Sequence, residues 1–388
     1  MLTFGMKTPL KKRQTGSDLV MRKFILLLSV LLILTSCSLS KDSNKPEEVP
    51  DEDNEEESII PNYKVSEDQY QIMLPYQPSE ARGTITNQIS NRFDIDEMEE
   101  GLRRHSVSAY DPDDYFFEEG QFLTKDFIYD MIEDVNPDQD KLKTKKDHED
   151  NPRILSHILE QNFLEKTKND NVRLGGVSFG IALKSVYRFQ TEEGGPYYEE
   201  PISESEAIKK GEEIATKLAK DVREIEGLEE VPLMIALYQE ESISSQVPGN
   251  FIKKVNVKEG SNELGKWEDL KEEYVLFPSS ESKEDYIDDH EKVNKFGTGV
   301  GDYFPNYVGI IGEGLYVDDN LTDLKINIPI EFYGKNEIIG FTQYIYGLAD
   351  KTFSKNHNLE IKVTSVEQVE SLLYRKAGED ELKVHIFN

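Results

Sequence analysis

The sequence predicts an α+β fold, a mixed sheet with packed helices in one lobe or two, behind a disordered N-terminal tether. Three observations carry this. Segments such as 124–133 and 203–226 repeat apolar residues at helical spacing. Others alternate or run apolar over strand length, as in 176–183 and 233–237. The two kinds interleave without a fixed period, which excludes a solenoid or a regular barrel.

The first 65 residues stand apart. Residues 1–20, with Lys7, Lys11, Lys12 and Arg13, read as an extension from an upstream start, or else as a long basic leader. Residues 21–36 have the three parts of a signal peptide: Arg22 and Lys23, the apolar run Phe24–Leu34, and the small residues Thr35 and Ser36. As a helix that run would span about 17 Å, too short for a hydrocarbon core of about 30 Å. Leu34-Thr35-Ser36-Cys37 has the form of a lipobox, so Cys37 is the expected site of lipid attachment. That anchor would hold the chain on the outer face of the cell membrane, after handling by a lipid transferase and signal peptidase II. Residues 37–65 are dense in carboxylates, as in Asp51–Glu57, and poor in apolar side chains, which predicts a disordered acidic tether.

Residues 66–165 read as a mainly helical N-terminal lobe and residues 166–388 as an α+β C-terminal lobe. In the first, 70–81 is an edge segment with two prolines. Helices are expected at 95–106, at 124–133 behind the N-cap Thr124, and at 153–163, where Ile154, Leu155, Ile158 and Leu159 share a face. Residues 137–152 read as a surface loop. In the second, strands are expected at 176–183, 185–190, 232–238, 249–257, 274–278, 315–317, 324–330, 360–363 and 383–387. Helices are expected at 203–226, capped by Ser203 and stopped by Gly227, from 283 to 296 and beyond, and at 338–353.

Charge and composition exclude several functions. A net charge of −31 opposes nucleic-acid binding, because phosphate contacts need clustered Lys and Arg. A single cysteine excludes an internal disulfide framework. Gly175–Gly180 lacks the lysine of a phosphate loop and the spacing of a dinucleotide fingerprint. The six histidines, His105, His148, His157, His290, His357 and His385, are scattered, which argues against a zinc site and for ordinary core or surface roles. Ser279 and Ser280, with Asp323, Glu331 or Glu337, form no recognisable triad. Tyr333, Phe341 and Tyr344 are aromatic enough to line a groove for peptide or sugar, although packing in the core is the preferred role. No catalytic residue, metal or cofactor is expected, and the protein reads as a non-enzyme.

A series of short blocks adds a resemblance. The lipobox is followed by Leu74-Pro75-Tyr76, Glu80-Ala81-Arg82-Gly83, Gly120-Gln121-Phe122-Leu123 and Ile158-Leu159-Glu160-Gln161-Asn162-Phe163. Then come Gly180–Tyr187, Leu276-Phe277-Pro278-Ser279-Ser280, Pro329–Gly334, Gly340–Tyr344 and Val384-His385-Ile386. In this order they resemble the CamS family of sex-pheromone lipoproteins of low-GC Gram-positive bacteria. The resemblance implies that the end of the cleaved leader, Val30-Leu31-Leu32-Ile33-Leu34-Thr35-Ser36, is trimmed to a pheromone peptide. Its partner would be a peptide receptor in responder cells, and the body would have no defined role. The alternative is a cell-wall-facing lipoprotein that binds peptide or glycan.

Overall fold

A computed structural model of the chain describes residues 47–50, 57–60, 69–82, 94–167, 171–303, 309–332, 334–366 and 368–387. The leader, Cys37 and most of the tether lie outside the described residues. Within the stretch expected to be disordered, β1 (Glu47–Pro50) and β2 (Glu57–Ile60) pair as an antiparallel ribbon, with Val49 opposite Ser58 and Glu48 opposite Ile59. The β-branched Val49, Ile59 and Ile60 supply the strand preference that the surrounding carboxylates mask.

The first half of the body contains β3 (Gln71–Ile72), α1 (Ile95–Ser106), β4 (Tyr115–Glu119), α2 (Lys125–Val135), α3 (Lys145–Asp150), β5 (Leu155–Lys166) and β6 (Val172–Leu183). It continues with β7 (Val186–Phe189), β8 (Tyr198–Pro201), α4 (Glu204–Asp221), β9 (Leu233–Gln239), β10 (Asn250–Val257) and β11 (Glu268–Asp269). The second half contains β12 (Glu272–Phe277), α5 (Ser280–Asp285), α6 (Ile287–Tyr303), β13 (Ile311–Val317), β14 (Asn320–Pro329), α7 (Lys335–Thr352), β15 (Asn358–Thr364), β16 (Val369–Arg375) and β17 (Lys383–Ile386).

Each half builds one mixed sheet, and the two sheets share a plan. The first runs β3-β4-β5-β6-β9-β10-β11 and the second β12-β13-β14-β15-β16-β17, while β7 and β8 form a separate ribbon. Setting β4 beside β12 aligns the rest. Both begin with an antiparallel pair (β4–β5, β12–β13), followed by a hairpin (β5–β6, β13–β14). A parallel crossover through one long helix comes next (β6–α4–β9, β14–α7–β15). Both end on two antiparallel pairs. The halves are thus repeats of one topology, although no sequence period betrays it.

Side-chain size decides what covers each face. Along β6, Phe179, Ile181 and Leu183 join the core formed with α2 and α4, while Ser178, Gly180 and Ala182 face α1. The small side chains let α1 approach closely: a Cβ on Gly180 would lie 2.9 Å from the Met98 Cε. In β9, Leu233, Ile235 and Leu237 join the α4 side, and Met234, Ala236 and Tyr238 the α1 side. Both faces of the first sheet are therefore buried, as its nearly continuous apolar strands require. The second sheet is covered on one face by α6 and α7, whose Phe296, Val300, Phe341 and Ile345 pack on Ile326, Ile328 and Ile361. Its other face carries Asp323, Lys325, Glu360 and Lys362 in alternation and stays wet.

Several sequence expectations change here. Residues 153–163 form not a helix but the start of β5, pairing with β4 and β6. Glu160, Gln161 and Asn162 look like the polar face of a helix, yet they are buried at 5, 2 and 0 % exposure. A boundary at 165/166 falls inside β5; the chain changes sheets between Asp269 and Glu272, and residues 66–165 hold three strands as well as helices. The expected loop 137–152 includes α3, begun by a capping box of Thr144 and Asp147. Strands β4 and β16 were not legible. The helix expected at 203–226 is α4, with Ser203 Oγ accepting from the Glu206 amide at 3.3 Å, and it gives way to a short 3-10 turn after Asp221.

Candidate functional site

The site is built from the outward face of α1. Asp94 caps this helix, its Oδ1 accepting from the Glu97 amide at 3.1 Å. Met98 and Leu102, fully buried, seat it on the first sheet. The helical period then turns Glu97, Glu100, Arg103 and Arg104 towards the second sheet.

There Arg104 forks. Its Nη2 lies 2.8 Å from Glu97 Oε1 and 3.1 Å from Glu272 Oε2, the latter on the first turn of chain into the second sheet. His105 Nε2 stands 3.2 Å from the same Glu272 oxygen, and the Tyr274 hydroxyl donates to Glu97 Oε2. Burial pushes the Glu97 carboxyl up, against the pull of Arg104 and the Tyr274 hydrogen bond. Burial acts the same way on Glu272, but His105 and Arg104 overcome it and hold Glu272 below the ordinary range. Burial and then Glu97 raise the Tyr274 hydroxyl. The two carboxyls are therefore displaced in opposite directions, Glu97 upward by burial and Glu272 downward by its cationic partners.

Beside this cluster lies a cleft of about 700 Å³. One wall is α1 with Glu100, Arg103 and Val107, and the other is the wet face of the second sheet with Glu313, Leu315, Asp323, Lys325 and Asn358. Tyr70 and Tyr274 also line it, and the Arg103 guanidinium sits 5.0 Å over the Phe117 ring. The lining offers both signs of charge, amide and phenol groups, and a few apolar contacts. Such a surface suits an extended zwitterionic ligand such as a peptide. Among the described residues its lining contains no serine, cysteine or histidine to act as a nucleophile or its base. Among the described residues no His, Cys, Asp and Glu group is placed to hold a metal.

The residues singled out from the sequence lie elsewhere. Val30, Leu31, Leu32, Ile33, Leu34, Thr35, Ser36 and Cys37 are outside the described residues, as is Tyr333. Phe341 is fully buried between α6 and α7, and Tyr344 is half-buried with its hydroxyl on the Gly299 carbonyl at 2.9 Å. Tyr303 packs on both, its centroid 5.6 Å from Phe341 and 4.9 Å from Tyr344. These rings are brought together as core. Ser279 caps α5 and accepts from the Ser282 amide at 2.9 Å. Buried histidines number His105, His148, His157 and His357. The Arg104 cluster was not foreseen, because its members are up to 177 residues apart and the charged face of α1 reads as solvated.

The family profile described as "CamS sex pheromone cAM373 precursor" matches residues 76–381. The chain belongs to the CamS family. Its fold is similar to the crystal structure of a sex pheromone precursor from Lactobacillus salivarius subsp. salivarius UCC118, at 26% identity and a TM-score of 0.77, covering 84% of this chain and 98% of that one. It is also similar to the C-terminal domain of the sex pheromone staph-cAM373 precursor from Staphylococcus aureus, at 26% identity and a TM-score of 0.69, covering 78% and 99%. No curated protein matches the chain. CamS is not known as a family of enzymes. Two of the CamS-like sequence blocks meet in space: the Glu160 carboxylate of one accepts hydrogen bonds from the Gln121, Phe122 and Leu123 amides of the other. No helix among the described residues is long and apolar enough to cross a membrane.

Proposed function

We propose that this CamS chain is a pheromone-precursor lipoprotein. Residues 21–36 direct export and are cleaved before Cys37, Cys37 carries the lipid that holds the body on the outer face of the cell membrane, and Val30–Ser36 is released as the peptide signal. The carrying observation is the family match over residues 76–381 of a chain that carries Leu34-Thr35-Ser36-Cys37 behind an apolar run. Two acyl chains anchor stably where one is marginal, at about 0.8 kcal/mol per buried methylene. An uncharged apolar heptapeptide suits a hydrophobic receptor pocket.

Mass spectrometry of membrane and culture-supernatant fractions tests this. The expected result is an acylated Cys37 at the N-terminus of the membrane form and Val-Leu-Leu-Ile-Leu-Thr-Ser in the medium, active on plasmid-bearing responder cells. A Cys37→Ala chain that keeps the same processing and membrane attachment would overturn the anchor. Supernatants and synthetic peptide that induce no responder would overturn the signal.

A second reading, that the body binds peptide at the cell wall, is favoured by the 700 Å³ cleft between α1 and the second sheet. Its test is retention of a mixed-charge peptide library by the wild-type chain and loss of that retention in Arg103→Ala and Lys325→Ala.

A further inference from the structure

On the first sheet, at the carboxyl end of β6, lies a second pocket of about 300 Å³ that shares no lining residue with the cleft. Ligand sites favour this position in sheets with parallel crossovers. Lys184 directly follows β6 and Glu240 directly follows β9. The facing wall is the start of β5, where the pairing with β6 shifts register between Leu155 and His157. Ser156 is the extra residue of that bulge, and bulges re-aim side chains. Asn136 holds the bulge in place, its amide exchanging two hydrogen bonds of 3.0 Å with the Leu155 main chain.

The pocket gathers more cationic and hydroxyl donors than carboxylates: Lys184, Arg153, Arg188 and Ser156 line it against Glu133, with the charge of Glu240 acting on Lys184. Ser156 is 2 % exposed and its Oγ has no hydrogen-bond partner among the described residues. Lys184 is 8 % exposed; what surrounds its ammonium is the charge of Glu240, the like charge of Arg153 and the Tyr187 ring at 5.9 Å. Burial, offset in part by Glu240 and reinforced by Arg153, lowers its pKa. Arg153 is held by Glu133 at 2.6 Å and by the Pro137 carbonyl at 2.9 Å, and its charge still faces the pocket. Arg188 stacks over Tyr197 at 4.0 Å and leaves a buried Nε without an acceptor.

We propose that this pocket binds a small phosphate-bearing ligand. A tetrahedral oxyanion accepts simultaneously from an ammonium, a hydroxyl and a guanidinium, and it screens the repulsion between Lys184 and Arg153. The volume exceeds that of a bare phosphate and leaves room for a small esterified group.

Calorimetric titration of the full chain in detergent and phosphate-free buffer, with inorganic phosphate, glycerol phosphate and acetate as separate probes, tests the site. Both phosphate compounds are expected to saturate with a Kd of about 1 mM or lower. Tighter inorganic phosphate marks the free ion as the ligand, and tighter glycerol phosphate marks an esterified one; acetate binding as tightly as either overturns the phosphate assignment. Ser156→Ala and Lys184→Met should each weaken binding by about tenfold. Lys184→Met also removes a countercharge from Glu240, so Lys184→Met/Glu240→Gln, neutral at both positions, serves as the folded control and should bind equally weakly. No saturation of the wild-type chain by about 10 mM phosphate, or variants that bind like it, overturns the proposal.

Discussion

Arg104 and Glu272 lie 168 residues apart in sequence and meet at 3.1 Å, Nη2 to Oε2, where α1 crosses the start of β12. Glu272 is only 2 % exposed in its side chain, so this contact, together with His105 at 3.2 Å, answers a buried charge. It also sets how the helix of the first half meets the first strand of the second. Neutralising the cation tests that role. Arg104→Met should reduce stability by about 2–3 kcal/mol, less than for a fully buried pair because a third of the arginine is solvated. Denaturant unfolding measures it. Glu272→Gln on the same background should recover part of the loss, and a single variant as stable as wild type would show that the pair contributes nothing.

Glu160 holds the β4–α2 turn. Its carboxylate accepts from three consecutive amides, Gln121 at 3.0 Å, Phe122 at 3.1 Å and Leu123, and a Cβ on Gly120 would run into its side chain at 2.5 Å. Glu160→Ala should destabilise by about 3 kcal/mol, since several buried donors lose their acceptor at once. Glu160→Gln keeps one carbonyl and should cost about 1 kcal/mol. Amide exchange at Phe122 and Leu123 should accelerate in the alanine variant, and unchanged protection there would refute the assignment.

Two glycines of β6 should respond unequally to alanine. At Gly176 a Cβ would lie 1.9 Å from Tyr110 Cε1, a ring fixed by hydrogen bonds to the Val177 and Pro232 carbonyls. At Gly180 the obstacle is the flexible end of Met98 at 2.9 Å. Gly176→Ala should lose about 2–3 kcal/mol and Gly180→Ala under about 1 kcal/mol. Thermal melts of the pair decide, and equal shifts would contradict the packing described.

Burial of His157 makes the fold acid-sensitive. Its pKa falls from 6.5 to about 3 through desolvation. A folded-state value below the unfolded one means that the unfolded chain takes up the proton first. The contribution is complete above about pH 6.5 and is lost as pH falls towards 3, at about 1.4 kcal/mol per unit. His157→Gln should remove most of that slope from a plot of unfolding free energy against pH. His357 shifts in the same direction, again through burial, so some slope should remain. A profile unchanged by the substitution would show that His157 does not titrate in this range.

Patterns confined to one element were legible in the sequence. Alternation in 176–183, the apolar run at 233–237 and the Ser203 cap each depend on residues within a few positions of one another. Residues 153–163 misled because Glu160, Gln161 and Asn162 carry the polarity of a solvated face, and only their distant partners make burial tolerable. The charged face of α1 misled in the opposite sense, since Glu97 and Arg104 read as surface groups until Glu272 and Tyr274 arrive from the second half.

By itself, then, the sequence determined the α+β class, most strands and helices, and membership of the CamS family, because local periodicity and ordered short blocks survive without knowledge of contacts. Tertiary structure alone decided the repeated sheet plan, the cleft against α1 and the donor-rich pocket at Ser156 and Lys184. Strand order and the convergence of charges depend on pairings between residues tens to hundreds of positions apart, and no local pattern encodes those.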